Sequence, residues 1–84
     1  MDKNKIDVAH QPDQQRFVTT LDGHESVADY RLSGSNIDFN HTFVPNALRG
    51  RGVAEQLVRE GLSWARQEGF QIRASCSYVQ KFLK

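Results

Sequence analysis

The run Arg16-Phe17-Val18-Thr19-Thr20-Leu21 alternates apolar and polar positions, then Asp22-Gly23 interrupts it, then a second alternating run extends from His24 to Leu32. Asp-Gly between two such runs predicts a two-residue hairpin, because both turn positions favour positive φ. That turn sets Leu21 opposite His24, Thr19 opposite Ser26 and Phe17 opposite Ala28. A second turn over Ser33-Gly34-Ser35-Asn36 leads into a strand from Ile37 to Val44. It sets Leu32 opposite Ile37, Tyr30 opposite Phe39 and Ala28 opposite His41. Side chains alternate between faces, so Phe17, Ala28, Tyr30, Leu32, Ile37, Phe39, His41 and Phe43 are expected on one face. The two turns, read separately, give one apolar surface.

Upstream, Met1 to Asn4 reads as a frayed end, and Ile6 and Val8 alternate with polar neighbours as a short edge strand, with Pro12 and Asp13 turning the chain. Downstream the period changes. Ala54, Leu57, Val58, Gly61, Leu62 and Ala65 recur three and four residues apart, the stripe of an amphipathic helix. Its other side carries Glu55, Gln56, Arg59, Glu60, Ser63, Arg66 and Gln67, with Glu55 and Arg59 in the favourable i,i+4 order. Trp64 flanks the stripe, Gly61 lets the helix approach the sheet, and Gly69 suits its C-terminal stop. A short strand at Gln71 to Ala74 follows. Ser77 to Lys84 predicts a last helix, with Ser77 and Gln80 spaced as a capping box.

A helix between two strands usually makes a right-handed crossover to a parallel partner. The strand ending at Val44 and the strand Gln71–Ala74 should therefore lie side by side and parallel. Their C-terminal ends, Val44 and Cys76, would meet where the chain enters the helix, the edge at which α/β sheets favour ligands. The fold class is α+β: an antiparallel strand meander, a helix, a parallel strand and a C-terminal helix in one domain, residues 1–84.

Composition narrows the functions. With 84 residues, 11 basic and 10 acidic side chains and a net charge of +1, the chain has no strong field to draw it to nucleic acid or an anionic membrane. One cysteine excludes an internal disulfide and suits a reducing compartment. The polar first ten residues suggest no secretory signal, and no apolar run approaches the ~20 residues that cross a bilayer. A soluble, cytoplasmic monomer is the expectation.

The candidate chemistry centres on Arg49-Gly50-Arg51-Gly52-Val53-Ala54, a glycine-punctuated loop between strand and helix. The first turn of a helix has N–H groups without internal partners at the positive end of its dipole, and glycines let a ligand come close. Such a turn suits phosphate, and Arg49 and Arg51 would offset its charge. It is no Walker loop, because Lys-Ser/Thr is missing after the last glycine, and it is a poor dinucleotide fingerprint. Cys76, at the sheet edge and a helix N-terminus, is either a stabilised thiolate or a small buried apolar residue. His41 falls on the apolar face, where a hydrogen-bonded core histidine is the ordinary outcome and proton transfer the alternative. Tyr78 is a packing tyrosine or points its hydroxyl to the same edge. His10 and His24 fall in a loop and a hairpin, with no ligand spacing to Cys76, so no metal site is expected.

Arg49-x-x-Gly52-x-Ala54 resembles the coenzyme A pyrophosphate loop of the GNAT superfamily of acyl-CoA N-acetyltransferases. The chain as a whole is similar to small single-domain GNAT-like proteins of the YjdJ type. Arg16-Phe17, Leu21-Asp22-Gly23, Tyr30-Arg31-Leu32, His41-Thr42, Val44-Pro45, Leu48 to Ala54 and Cys76-Ser77-Tyr78-Val79 carry that likeness. It implies acetyl-CoA wedged between the strands ending at Val44 and Ala74. Backbone N–H groups from Arg49 to Ala54 (through Gly50, Arg51, Gly52 and Val53) would hold the pyrophosphate. Main-chain groups near Phe43 and Val44 would pair with the pantetheine arm, and Cys76 would be an active-site residue. Ordinary members also have two helices near the N-terminus that help line the acceptor site. This chain has no room for them and no match to their frequent glutamate base, so the acceptor pocket is expected to be open or absent. Acetyl transfer to an amine, on a small molecule or a protein lysine, is the leading expectation, with His41 or water as base and direct or Cys76-mediated transfer both open. A coenzyme A-binding module without useful catalysis is the alternative, and a small RNA or protein interaction module a more distant one.

Overall fold

Asp22 and Gly23 take φ values of 52° and 77°, the paired left-handed conformation a two-residue hairpin demands. In the computed structural model, which describes residues 6–83, they join β2 (Arg16–Leu21) to β3 (His24–Ser33). The sheet is completed by β1 (Ala9–Gln11), β4 (Asn36–Phe43) and β5 (Gln71–Ala74), and the helices are α1 (Val53–Gln67) and α2 (Ser77–Gln80). Strand order in space follows the chain, β1-β2-β3-β4-β5. All neighbours are antiparallel except β4 and β5, which the α1 crossover makes parallel. The predicted pairs Leu21–His24, Thr19–Ser26, Phe17–Ala28, Leu32–Ile37 and Tyr30–Phe39 are all observed.

The predicted register then breaks. Tyr30 faces Phe39, but Asp29 faces His41, so Asn40 is an extra residue in β4. A bulge of this kind puts two residues against one and reverses the facing of everything beyond it. Ala28 therefore lies opposite Thr42, not His41. His41 and Phe43 turn to the face away from the helices, where both are exposed. Their expected place on the apolar face is taken by Thr42 and Val44.

The helical stripe buries as its period requires. Leu57, Val58, Gly61, Leu62 and Ala65 are buried together with Val53, while Ala54 is half-buried. They pack on Phe17, Ala28, Tyr30, Ile37 and Phe39. At Gly61 the fit is close enough that a Cβ would lie 2.8 Å from Phe39 Cε1, so the helix sits on the ring itself. The Glu55–Arg59 pair forms at 2.8 Å. At the other end Gly69 (φ 80°) donates to Arg66 O and Phe70 donates to Ala65 O, the paired bonds that close a glycine-stopped helix.

The edges differ from expectation. The first strand is Ala9–Gln11, and Ile6 and Val8 precede it, packing against the core. His10 is thus a strand residue, not a loop one: its ring stacks on Phe17 at 4.1 Å, meets Trp64 edge-on at 4.4 Å and bonds Tyr30 Oη at 2.6 Å. Aromatic contact decides where that strand pairs, and Pro12 stops it by lacking an N–H. The last helix ends at Gln80. Its N-cap is Cys76 and the Ser77–Gln80 capping box does not form. Gln80 Nε2 instead donates to Ala74 O at 2.9 Å. The expected fraying of Met1 to Asn4, and the helix end at Lys84, lie outside the described residues. No helix among the described residues is long and apolar enough to cross a membrane.

Candidate active site

The β4–β5 ladder stops at Phe39–Ala74, with one further bond from Cys76 N–H to Phe39 O at 3.1 Å. Beyond it the bulge bends β4 away, while Asp38 binds the other strand's end. Its carboxylate accepts from Ser75 N–H at 2.8 Å and Ser75 Oγ–H at 2.6 Å. The separated ends open a cavity of about 390 Å³ between the end of β4, the turn into α1 and the start of α2. Thr42, Val44, Leu48 and Val53 form walls, with Tyr78 on the α2 side.

The rim is the glycine loop. Gly50 and Gly52 take φ values of 81° and 76°, and a Cβ at either would meet no atom within 4 Å. The chain thus turns in left-handed steps beside open space, which glycine alone does without strain. Gly52 is the N-cap of α1, and Gln56 is the residue whose N–H first finds a carbonyl in the helix, Gly52 O at 3.1 Å. The N–H groups of Val53, Ala54 and Glu55 precede it, without partners inside the helix. They edge the cavity with Arg49, whose Nε reaches Val44 O at 3.4 Å. An elongated anion with an apolar arm fits these residues: donors and a guanidinium at one end, Val44, Leu48 and Val53 along the side.

Not every predicted residue joins them. Gly50, Gly52, Val53, Ala54, Arg49, Val44 and Tyr78 line the cavity, but Arg51, Phe43, His41 and Cys76 do not. Arg51 Nη1 is tied to Asp22 Oδ2 at 2.7 Å, bracing the loop against the β2–β3 hairpin. Three lining residues escaped the strand and helix patterns: Thr42, Leu48 and Glu55. Leu48 is buried in the 3-10 turn Asn46–Leu48. Glu55 would oppose an anion, but Arg59 holds its carboxylate. For Thr42 the available signal was the β-branched pair Thr42 and Val44, in phase with each other and out of phase with Phe39.

Cys76 stands behind Thr42, half-buried, its Sγ 3.7 Å from Thr42 Oγ1. Burial pushes the thiol up, but the Val79 and Tyr78 amides together with the hydroxyl and amide of Thr42 outweigh it, so the thiol lies below its ordinary value. The Tyr78 hydroxyl is raised by burial and by Glu55, with Arg59 opposing, and remains a proton donor. Among the described residues no cluster of His, Cys, Asp or Glu is arranged to hold a metal.

Residues 16–84 match the sequence profile of a family described as GCN5-related N-acetyl-transferase. The chain is 38% identical over 82 residues to Protein NATD1 of Bos taurus, spanning 94% of this chain and 73% of the relative. It is 37% identical over 82 residues to Protein NATD1 of Homo sapiens, with the same coverage of each. A solution structure of a GCN5-like candidate N-acetyltransferase from Staphylococcus aureus superimposes with a TM-score of 0.68 at 27% identity, covering 99% of this chain and 80% of that one.

Proposed function

Because the chain belongs to the GCN5-related N-acetyltransferase family, we propose that it transfers an acetyl group from acetyl-CoA to an amine. The single observation carrying this reading is the cavity at the parted ends of β4 and β5, rimmed by Gly50, Gly52 and the unpartnered first turn of α1. The amides of Val53, Ala54 and Glu55 and the Arg49 guanidinium would hold the pyrophosphate. Val44, Leu48 and Val53 would flank the pantetheine arm, and free main-chain groups of β4 past the bulge would bind it. Bound acetyl-CoA supplies an acetyl thioester. Thr42, on the cavity wall with Cys76 behind it, would sit beside the thioester, and backbone donors there would stabilise charge on its carbonyl oxygen. Tyr78, which lines the cavity and whose hydroxyl is held protonated, would be the side chain able to donate a proton there.

A second reading rests on the lowered Cys76 thiol: the thiolate takes the acetyl group first and passes it to the amine. Mass spectrometry of protein incubated with acetyl-CoA separates the two. A 42-dalton adduct on Cys76 is roughly the gain an acetyl group makes, and its absence during turnover leaves direct transfer.

Titration with acetyl-CoA tests the reading, followed by amide NMR and by melting. The signals of Gly50 to Glu55 should shift, and ligand at ~100 times its dissociation constant should add about 2.7 kcal/mol. Arg49→Gln, which removes charge without backbone strain, should weaken binding without lowering the melting temperature of the free protein. Gly52→Val should abolish it. Unmoved signals at saturation would end the reading, and binding without acetylation of any amine would make the chain a coenzyme A-binding module.

A further inference from the structure

Resting on that reading, we propose that Thr42 sets the length of the acyl group: its side-chain methyl closes the cavity to chains longer than propionyl. Two lining residues come from the end of β4 and just past it, Thr42 and Val44. Thr42 is the nearer of them to Phe39–Ala74, the last pair joining β4 to β5. The strands diverge from that pair, so the cleft narrows toward Thr42. With the pyrophosphate at the glycine rim, the acyl group is the part of the ligand carried to the Thr42 side.

The gap between the strands is bridged at this point. Thr42 from β4 and Cys76 from beyond β5 meet across it, Oγ1 to Sγ at 3.7 Å. Thr42 lines the cavity and Cys76 does not, so Thr42 is the wall and Cys76 its backing. Cys76 packs in turn against the buried core that includes Phe39 and Val79. Protein interiors are packed as densely as organic crystals, which leaves the backing no room to retreat. Thr42 itself is stiff, because a β-branched side chain is restricted at χ1. Its contact with the sulfur turns Oγ1 toward Cys76 and leaves the methyl as the other branch of Cβ. An unbranched residue could swing aside. The bulge at Asn40 is what brings so small a residue to the wall, where strict alternation would have placed His41.

An acetyl group ends in a single methyl, which packs on the methyl of Thr42. Every further methylene pushes against that wall, and one methylene too many in a fitted pocket costs roughly tenfold or more in affinity. The donor class is therefore a short, unbranched acyl thioester, selected by the shape of one side chain rather than by its polarity.

Titration calorimetry with coenzyme A and its acetyl, propionyl, butyryl and hexanoyl thioesters tests the assignment without acceptor or turnover. The wild type should bind butyryl-CoA roughly tenfold or more weakly than acetyl-CoA, and hexanoyl-CoA more weakly still. Thr42→Ser removes the methyl, keeps the hydroxyl and should bind the acetyl and butyryl thioesters alike. Thr42→Ala, which removes both branches, should do the same. Thr42→Val keeps the shape without the hydroxyl and should keep the wild-type ratio. Each ratio compares two ligands on one variant, so a partly unfolded variant leaves it unchanged. Equal affinities in the wild type would overturn the assignment, as would a wild-type ratio in Thr42→Ser and Thr42→Ala. Loss of selection in Thr42→Val would overturn it too, because the hydroxyl and not the methyl would then be the wall. In each of these cases the cofactor reading stands if acetyl-CoA still shifts the Gly52 amide in NMR spectra. Should acetyl-CoA leave Gly50 to Glu55 unmoved, both fail.

Discussion

Thr42 reaches the cavity because Asn40 is an extra residue in β4. Without it, strict alternation would bring His41 and Phe43 inward, as the run Ile37-Phe39-His41-Phe43 suggests. Once inward, Thr42 reaches the Cys76 sulfur with both its hydroxyl and its amide. Thr42→Val keeps the side chain's shape and removes the hydroxyl, so the thiol should rise toward its ordinary range. The rate of Cys76 alkylation by iodoacetamide, followed against pH, should then have its midpoint at higher pH than in the wild type. An unchanged midpoint would mean that the backbone amides of Thr42, Tyr78 and Val79 set the thiol without the hydroxyl. The loop residues were more legible. Gly50 and Gly52 marked a glycine-punctuated loop beside a helix start, and there the structure gives both of them positive φ. Arg51 was not, since nothing local shows that Asp22, 29 residues earlier in the chain, would claim it.

At the scale of elements, the cavity depends on how two strands part. A parallel ladder left to itself would add pairs beyond Phe39–Ala74 and close the gap. Two devices prevent this: the bulge in β4 and the Asp38 carboxylate, which takes both donors of Ser75. Asp38→Ala leaves the Ser75 amide without its partner. These bonds are exposed to solvent, so the loss should be about 1 kcal/mol, or roughly 4–8 °C of melting temperature in a domain of this size. Hydrogen exchange should show the Ser75 and Cys76 amides opening faster, and acetyl-CoA should bind more weakly. Faster exchange confined to β1 would contradict this role. The hairpins and α1 were readable because a two-residue turn or a glycine stop is written within a few residues. The edge of the sheet was not: β1 pairs where His10 can stack on Phe17 and Trp64, a contact among three separate elements.

For the molecule as a whole, that stack ties β1, the sheet and α1 together, and it carries a titratable group. Burial holds His10 below its ordinary value of 6.5. The unfolded chain therefore takes up this proton at higher pH than the folded one, and stability rises with pH through that interval. The contribution is full above about pH 6.5, the ordinary value of histidine, and is lost as pH falls through the folded-state value. Melting temperatures measured downward from pH 7 should fall first in that window, before the carboxylates titrate. His10→Phe should flatten that part of the curve. It should also lower stability by about 1–3 kcal/mol, because the Tyr30 hydroxyl loses its partner. An identical slope in the variant would assign it to other groups.

The strand meander, the amphipathic helix, the parallel crossover and the glycine-punctuated turn into α1 were all determined by the order of residues, because each follows from periodicity, turn chemistry or chain connectivity over short spans. Which side chains face the cavity was decided only in three dimensions. One inserted residue reverses a strand's facing at almost no cost in local pattern. Arg51, His41 and Thr42 owe their places to partners far along the chain.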